Sequence, residues 1–217
     1  MQFETPTGPQ SFRINALIVA GWTGRDTAAV RHHIEELVEI GVPPPTTTPL
    51  FYRIGTNLLC QSDRIEVLGN ETSGEAEPLI IISNDQIWLG LGSDHTDRGL
   101  EAVSVAASKQ ACPKPVAADL WRWSDVEDRL DDLTLVSEIF EDGGWVTYQF
   151  GTLAAIRPLA ELIDATAMPD NAAMMCGTLT AIGGVRAADR FRARLHDPMT
   201  GRTISLGYNC IRLPVVA

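Results

Sequence analysis

Glu75 and Glu77 stand one residue apart in Gly74-Glu75-Ala76-Glu77, directly before the apolar run Pro78-Leu79-Ile80-Ile81-Ile82. If a strand begins this early, both carboxylates project to one side, because side chains along a strand alternate with period two. Two such carboxylates repel unless a cation lies between them. A hard divalent ion with oxygen ligands, Mg2+ or Mn2+, suits that arrangement. Two exposed loop glutamates are the plainer reading of the same residues. Asp94 leaves the next apolar run, 87–91, in Gly92-Ser93-Asp94-His95-Thr96-Asp97-Arg98, and could add a third metal oxygen. Arg98, one turn later, could hold a carboxylate through a two-pronged hydrogen bond, and Lys109 and Lys114 follow. A capped helix start with ordinary surface charges would also account for this stretch.

A third cluster, His32-His33-Ile34-Glu35-Glu36, contains two overlapping His-x-x-Glu pairs. Residues three apart neighbour each other on a helix, so either pair could form a carboxylate–imidazole dyad that draws a proton from water. At about 100° per residue, His33 flanks the apolar stripe of Val30, Ile34 and Leu37, whereas His32 points away. His33 with Glu36 is therefore the better catalytic pair; a solvated acidic helix face is the alternative.

These groups must be positioned by short elements. Residues 12–20 read as a strand, and Asp26 caps a helix that runs to about residue 40, where Gly41 and the prolines end it. Strands are expected at 50–54, 64–68, 76–83 and 87–91, and a short helix at 96–107. Trp121 and Trp123 alternate as in a strand. Residues 133–141 and 145–150 form a hairpin about Gly143-Gly144, and 157–165 form a helix opened by Pro158. Strands at 173–180, 190–195 and 202–213 complete the chain, with Met174 and Met175 in the core. Many short strands with few helices indicate an α+β fold rather than a doubly wound parallel sheet. The chain carries neither of the standard glycine-rich nucleotide loops.

The chain has 217 residues, which fits one domain, 1–217, with 1–11 expected to be flexible or loosely packed. A formal net charge of −11 argues against nucleic acid and against anionic membrane surfaces as partners. The apolar runs at 16–20 and 79–82 are far shorter than the roughly 20 residues of a membrane span. Residues 1–10 lack a basic start and an apolar stretch, so no targeting signal is expected there. Cys60, Cys112, Cys176 and Cys210 are widely scattered, which favours reduced thiols in a cytoplasmic protein over disulfides or a zinc site. Cys112 lies near Lys109 and Lys114, but its sequence neighbourhood supplies no nucleophile-activating partner.

Read in order, these segments resemble the fumarylacetoacetate hydrolase superfamily, which includes acylpyruvate hydrolases and oxaloacetate decarboxylases. Gly24-Arg25-Asp26 with His33 to Glu36 is similar to its opening segment and His-x-x-Glu dyad, and Pro49 to Arg53 to the following strand. Asp63 to Val67 and Glu75-Ala76-Glu77 resemble the run into its metal-binding Glu-x-Glu. Gly92 to Arg98 resembles the segment that completes the metal site, Lys114 falls at its active-site lysine, and Cys176-Gly177-Thr178 resembles its Gly-Thr loop. Ser73 to Glu75, Gly92 to Arg98 and Ser108 to Pro115 look like a bacterial branch of unknown function, DUF2848-like. Three features depart from the pattern. The interval from Glu77 to Asp94 is short, so an intervening helix should be absent; Glu101 stands where relatives often have Gln; and Pro169-Asp170-Asn171 replaces the usual Gly-Asp.

The resemblance implies a mixed β-roll or sandwich subunit in a homodimer. It implies Mg2+ or Mn2+ on Glu75, Glu77 and Asp94, and His33, Glu36 and Lys114 in catalysis. Arg98, Glu101, Gly177 and Thr178 would meet a small carboxylate substrate. The implied reaction is hydrolysis or decarboxylation at a C–C bond of a 2-oxo or 1,3-diketo acid, through a metal-stabilised enolate. Hydration or isomerisation of a 2-oxo-alkenoate, and non-catalytic small-molecule binding, are the alternatives.

Overall fold

The computed structural model describes residues 1–39 and 44–216; the side chains of His33, Glu36 and Leu37 lie outside the described set. Two sheets dominate. The larger holds β1 (Ala16–Gly21), β2 (Leu50–Ile54), β4 (Ala76–Ser83), β5 (Gln86–Ser93), β6 (Trp121–Arg122) and β9 (Ala172–Met175), ordered β6-β5-β4-β9-β1-β2. The smaller holds β3 (Arg64–Leu68), β7 (Thr134–Glu141), β8 (Gly144–Thr152), β10 (Arg190–His196) and β11 (Thr203–Leu213), ordered β8-β7-β10-β11-β3. Among the described residues the four α-helices are short or peripheral: α1 (Thr27–Glu39), α2 (Arg98–Glu101), α3 (Val105–Ala111) and α4 (Leu159–Thr166). Neighbouring strands are antiparallel except β9 with β1 and β11 with β3. The fold is therefore α+β, as the short alternating segments require.

Ile18, Ile80, Leu89 and Met174 from the larger sheet share one core with Ile65, Leu135, Phe191, Leu195 and Tyr208 from the smaller. The opposite face of the larger sheet buries Leu17, Val19, Leu79, Ile81, Trp88, Ala173 and Met175 against Phe3 and Phe12. Burial on both faces explains why β1 and β4 read as continuous apolar runs rather than alternations. It also corrects the expectation for the N-terminus. Gln2–Thr5 and Gly8–Ser11 pair as a hairpin, with Phe3 completely buried as part of the cover over that second face.

Asn84 (φ 52°) and Asp85 (φ 58°) close the β4–β5 hairpin in the left-handed conformation that two-residue turns favour. This tight connection leaves no helix between Glu77 and Asp94. Asp142 and Gly143 close β7–β8 in the same way, so Gly144 begins the strand rather than sharing the turn. The helix expected at 96–107 is two helices, α2 and α3. The second starts afresh at Ser104, whose hydroxyl accepts from the Ala107 amide. Trp123 leaves the strand for a 3-10 turn, Trp123–Asp125. Asp26 caps α1 as expected, accepting from the amides of Ala28 and Ala29. The residues expected to end α1 at 40–43 lie outside the described set.

Buried Asp197 pins the β10–β11 turn to the neighbouring loop. It accepts from Thr200 Oγ1 (2.6 Å), the Met199 amide (3.0 Å) and Arg129 Nη2 (2.9 Å). Burial alone would raise its pKa, but these donors outweigh burial and hold the carboxyl well below the usual range. A depressed carboxylate stabilises the fold above its unfolded pKa and stops doing so as pH falls toward the native value. The urea midpoint should therefore drop between about pH 4 and pH 2, and the drop should be shallower in Asp197→Asn. Equal acid sensitivity in the two proteins would remove Asp197 from this role.

Candidate metal centre

Hairpin register builds the acidic cluster. Ala76 pairs with Ser93 and Glu77 with Gly92, and the Asp94 amide extends the ladder by donating to the Glu75 carbonyl (3.0 Å). The entry of β4 and the exit of β5 thus meet, and one carboxylate oxygen each from Glu75, Glu77 and Asp94 lies within 4.8 Å of the others. Glu77 and Asp94 are buried and Glu75 is half-buried.

Glu77 Oε2 accepts from the Gly177 amide (2.7 Å). Burial and the charge of Asp94 push the Glu77 carboxyl well above the usual carboxylate range, despite opposing pulls from Lys109 and that amide. Asp94 goes the other way. Burial would raise it, but Lys109 and Lys114 lower it to about 2. Lys109 Nζ donates to Asp94 Oδ2. Lys114 Nζ sits 3.3 Å from Oδ1 and donates to the carbonyls of His95 (2.5 Å) and Cys112 (3.2 Å). Asp94 Oδ1 itself is buried and accepts no hydrogen bond. The Lys114 ammonium at 3.3 Å compensates part of its charge, and with no hydrogen bond made the oxygen keeps lone pairs for a further cation. Three hard oxygen donors, one of them on Asp94, fit a divalent ion of the Mg2+, Mn2+ or Ca2+ kind.

Arg98 braces the half-buried side of the cluster. Its Nε donates to Ser73 Oγ (2.7 Å), its Nη1 to Glu101 Oε2 (2.7 Å), and its Nη2 lies 3.2 Å from Glu75 Oε2 with no hydrogen bond of its own. Glu101 therefore engages Arg98 directly.

Gly177 and Thr178 lie against the start of β4. The Thr178 hydroxyl donates to the Ala76 carbonyl (2.7 Å), while Gln149 Nε2 donates to Thr178 Oγ1 (2.5 Å) and to the Leu179 carbonyl (2.7 Å). Gln149 Oε1 accepts from the Ala76 amide (2.9 Å) and from Ser137 Oγ (2.6 Å). His95, buried beside Asp94, has Nδ1 at 2.9 Å from Tyr208 Oη and Nε2 at 2.9 Å from Thr72 Oγ1. Burial, then the charges of Lys114 and Arg98, lower its pKa to about 3, so it is neutral near pH 7. Cys112 is buried and its thiol is pushed up to about 11, chiefly by burial, which removes it as a nucleophile.

Eight of the ten residues singled out in the sequence therefore converge: Glu75, Glu77, Asp94, Arg98, Glu101, Lys114, Gly177 and Thr178. The other two, His33 and Glu36, lie on α1 with side chains outside the described set. Sequence reasoning passed over Gln149, and it treated Lys109 only as a neighbour of Lys114. The buried state of Gln149 follows from a bulge at Ser137/Glu138, which places Tyr148 and Gln149 consecutively in the interior and hides both from a period-two reading. For Lys109, its place on α3 carries no local signal that it reaches Asp94.

A family model described as a protein of unknown function, DUF2848, matches residues 20–208. No curated protein matches the sequence. Similar solved structures include 2-keto-3-deoxy-D-arabinonate dehydratase complexed with magnesium and 2,5-dioxopentanoate, with TM-score 0.64 and 14% identity over 94% of this chain and 79% of that one. Another is 4-oxalocrotonate decarboxylase from Pseudomonas putida G7, complexed with calcium and acetate (TM-score 0.60, 15% identity, 93% and 78% covered). A third is an uncharacterized protein from Mycobacterium abscessus (TM-score 0.65, 14% identity, 96% and 84% covered).

Proposed function

We propose, for a chain that belongs to the DUF2848 family and has the fold of the fumarylacetoacetate hydrolase superfamily, a divalent-metal-dependent enzyme acting on a small 2-oxo acid. Its reaction is hydrolysis or decarboxylation at a C–C bond. The observation that carries this reading is the convergence of Glu75, Glu77 and Asp94, the buried Oδ1 of Asp94 accepting no hydrogen bond and facing Lys114 at 3.3 Å.

Glu75, Glu77 and Asp94 would hold Mg2+ or Mn2+, which when bound supplies Lewis acidity toward the 2-oxo and carboxylate oxygens of the substrate and so favours an enolate. Arg98 Nη2 keeps a donor for a substrate oxygen, while Nη1 and Glu101 hold the guanidinium in place. Lys114 donates hydrogen bonds to two backbone carbonyls and faces Asp94 with its charge. It acts as a positioning residue for that carboxylate. Gly177 and Thr178 fix Glu77 and the strand that carries it. His33, oriented by Glu36, would activate water for hydrolysis, an assignment that rests on helical spacing and the family resemblance, and two copies of the chain would form the working unit, as the resemblance alone implies.

A second reading keeps the same site for hydration or dehydration of a 2-oxo acid and is favoured by the likeness in fold to the dehydratase. Product analysis separates the two, because hydrolysis or decarboxylation yields two fragments and hydration or dehydration preserves the carbon skeleton.

Calorimetry tests the site directly. The wild-type protein should bind Mg2+ or Mn2+, and Glu77→Gln should weaken binding by more than about a hundredfold, the upper end for residues that merely support a ligand. Unchanged affinity in Glu77→Gln would take that residue out of the site. Retained binding of oxalate without turnover of any 2-oxo acid would leave a binding protein.

A further inference from the structure

Four carboxylates, Glu75, Glu77, Asp94 and Glu101, meet three cationic side chains, Arg98, Lys109 and Lys114. Fully ionised, that cluster carries one surplus negative charge. A divalent ion added to it would leave one surplus positive charge in a largely buried site, where repulsion is poorly screened. The excess vanishes if one of the three cations withdraws.

The three are not equally free to leave. Arg98 is held by Ser73 and Glu101 and faces Glu75. Lys114 is completely buried and donates to two backbone carbonyls. Lys109 makes one hydrogen bond among the described residues, to Asp94 Oδ2. Its side chain retains a little exposure (8%), and its ammonium lies 5.8 Å from the centre of the Tyr52 ring. An aromatic face is a favourable resting place for an ammonium that loses a carboxylate partner.

We propose that the Lys109 ammonium is a tethered occupant of the carboxylate cluster, and that a divalent ion loads by displacing it from Asp94 toward Tyr52. This rests on the reading of the cluster as a metal centre and assigns that centre a built-in competitor. Lys109 neutralises Asp94 when metal is scarce and sets the concentration at which metal enters. Mutual exclusion of this kind couples the two occupants, and such couplings typically change affinity by about 5–150-fold.

The test compares Mg2+ and Mn2+ affinity by calorimetry in wild type, Lys109→Met and Lys114→Met. Each variant removes one positive charge beside Asp94, but only the first removes the displaceable one. Lys109→Met should bind about tenfold tighter or better, with Lys114→Met clearly behind it; binding by Lys109→Met alone would equally support displacement. Equal tightening in both variants would reduce the effect to ordinary charge repulsion and overturn the proposal. So would unchanged or weaker binding in Lys109→Met. Binding by none of the proteins would instead remove the metal centre, and the proposal with it. A measurement on wild type guards against a variant that fails to fold. Amine-reactive labelling of Lys109, read by mass spectrometry, should be slow without metal and faster with saturating Mn2+; an unchanged rate would count against displacement.

Discussion

Asp94→Asn is expected to remove divalent-ion binding and, in the same protein, to cost about 3–5 kcal/mol of folding stability, the range for stripping one partner from a buried ion pair. The shape of the side chain is kept, so the loss is one of charge. Lys109 donates to Asp94 Oδ2, and Lys114 lies 3.3 Å from Oδ1; both lysines are buried. Without the carboxylate they become two neighbouring buried cations with only a neutral amide between them. One can relieve the repulsion by giving up its proton, which caps the loss. Total stabilities of about 5–15 kcal/mol make this the largest single-site effect expected of the centre. Urea unfolding should show it as a lowered midpoint at an unchanged slope.

Glu77→Gln provides the contrast that makes this diagnostic. Burial and the charge of Asp94 disfavour the ionised form of Glu77, so a neutral amide there removes a penalised charge and keeps an oxygen that can accept from the Gly177 amide. Its stability should change little while its metal affinity collapses. Equal stability losses in the two variants would show that the cluster is not organised around Asp94 as the shared counter-charge.

The elements that carry this centre were legible because their signals are local. Strands Leu50–Ile54, Arg64–Leu68 and Ala76–Ser83 fall where their apolar patterns place them. A Glu-x-Glu at the entry of one strand and an Asp at the exit of the next are brought together by a two-residue turn, so the acidic trio needs only hairpin register to form. The failures share a different cause. One short helix was expected over 96–107, while the capping hydroxyl of Ser104 starts a second one within that span. The N-terminal hairpin looks polar in sequence, and only the second buried face of the larger sheet gives Phe3 somewhere to go. Lys109 and Gln149 were missed because the contacts that define them arise from tertiary placement and from a bulge. Sequence periodicity records neither. The two residues matter for opposite reasons: Gln149 ties the carboxylate-bearing strand to the Thr178 loop, and Lys109 competes for the carboxylate that strand helps to present.

That loop sets the second large expectation: Gly177→Ala should lose about 3 kcal/mol or more of stability and weaken metal binding with it. Gly177 has φ 96°, a conformation an L side chain rarely adopts. A Cβ built there would stand 1.7 Å from Thr23 Oγ1 and 2.9 Å from Thr23 Cβ, and Thr23 is buried with little room to yield. The backbone must therefore move, and the amide that moves is the one donating to Glu77 Oε2 at 2.7 Å. Strain and ligand geometry are thereby linked at a single residue. Thr23→Gly separates the two parts, because it deletes the three atoms nearest the new methyl and leaves the φ penalty in place. In a double-mutant cycle read by urea midpoints, Gly177→Ala should cost less on the Thr23→Gly background than on wild type, yet still remain destabilising. Full recovery would mean that the backbone conformation is unstrained for alanine. No recovery would mean that Thr23 is not the obstacle, and Gly177→Ala with wild-type stability would dismiss the close approach altogether.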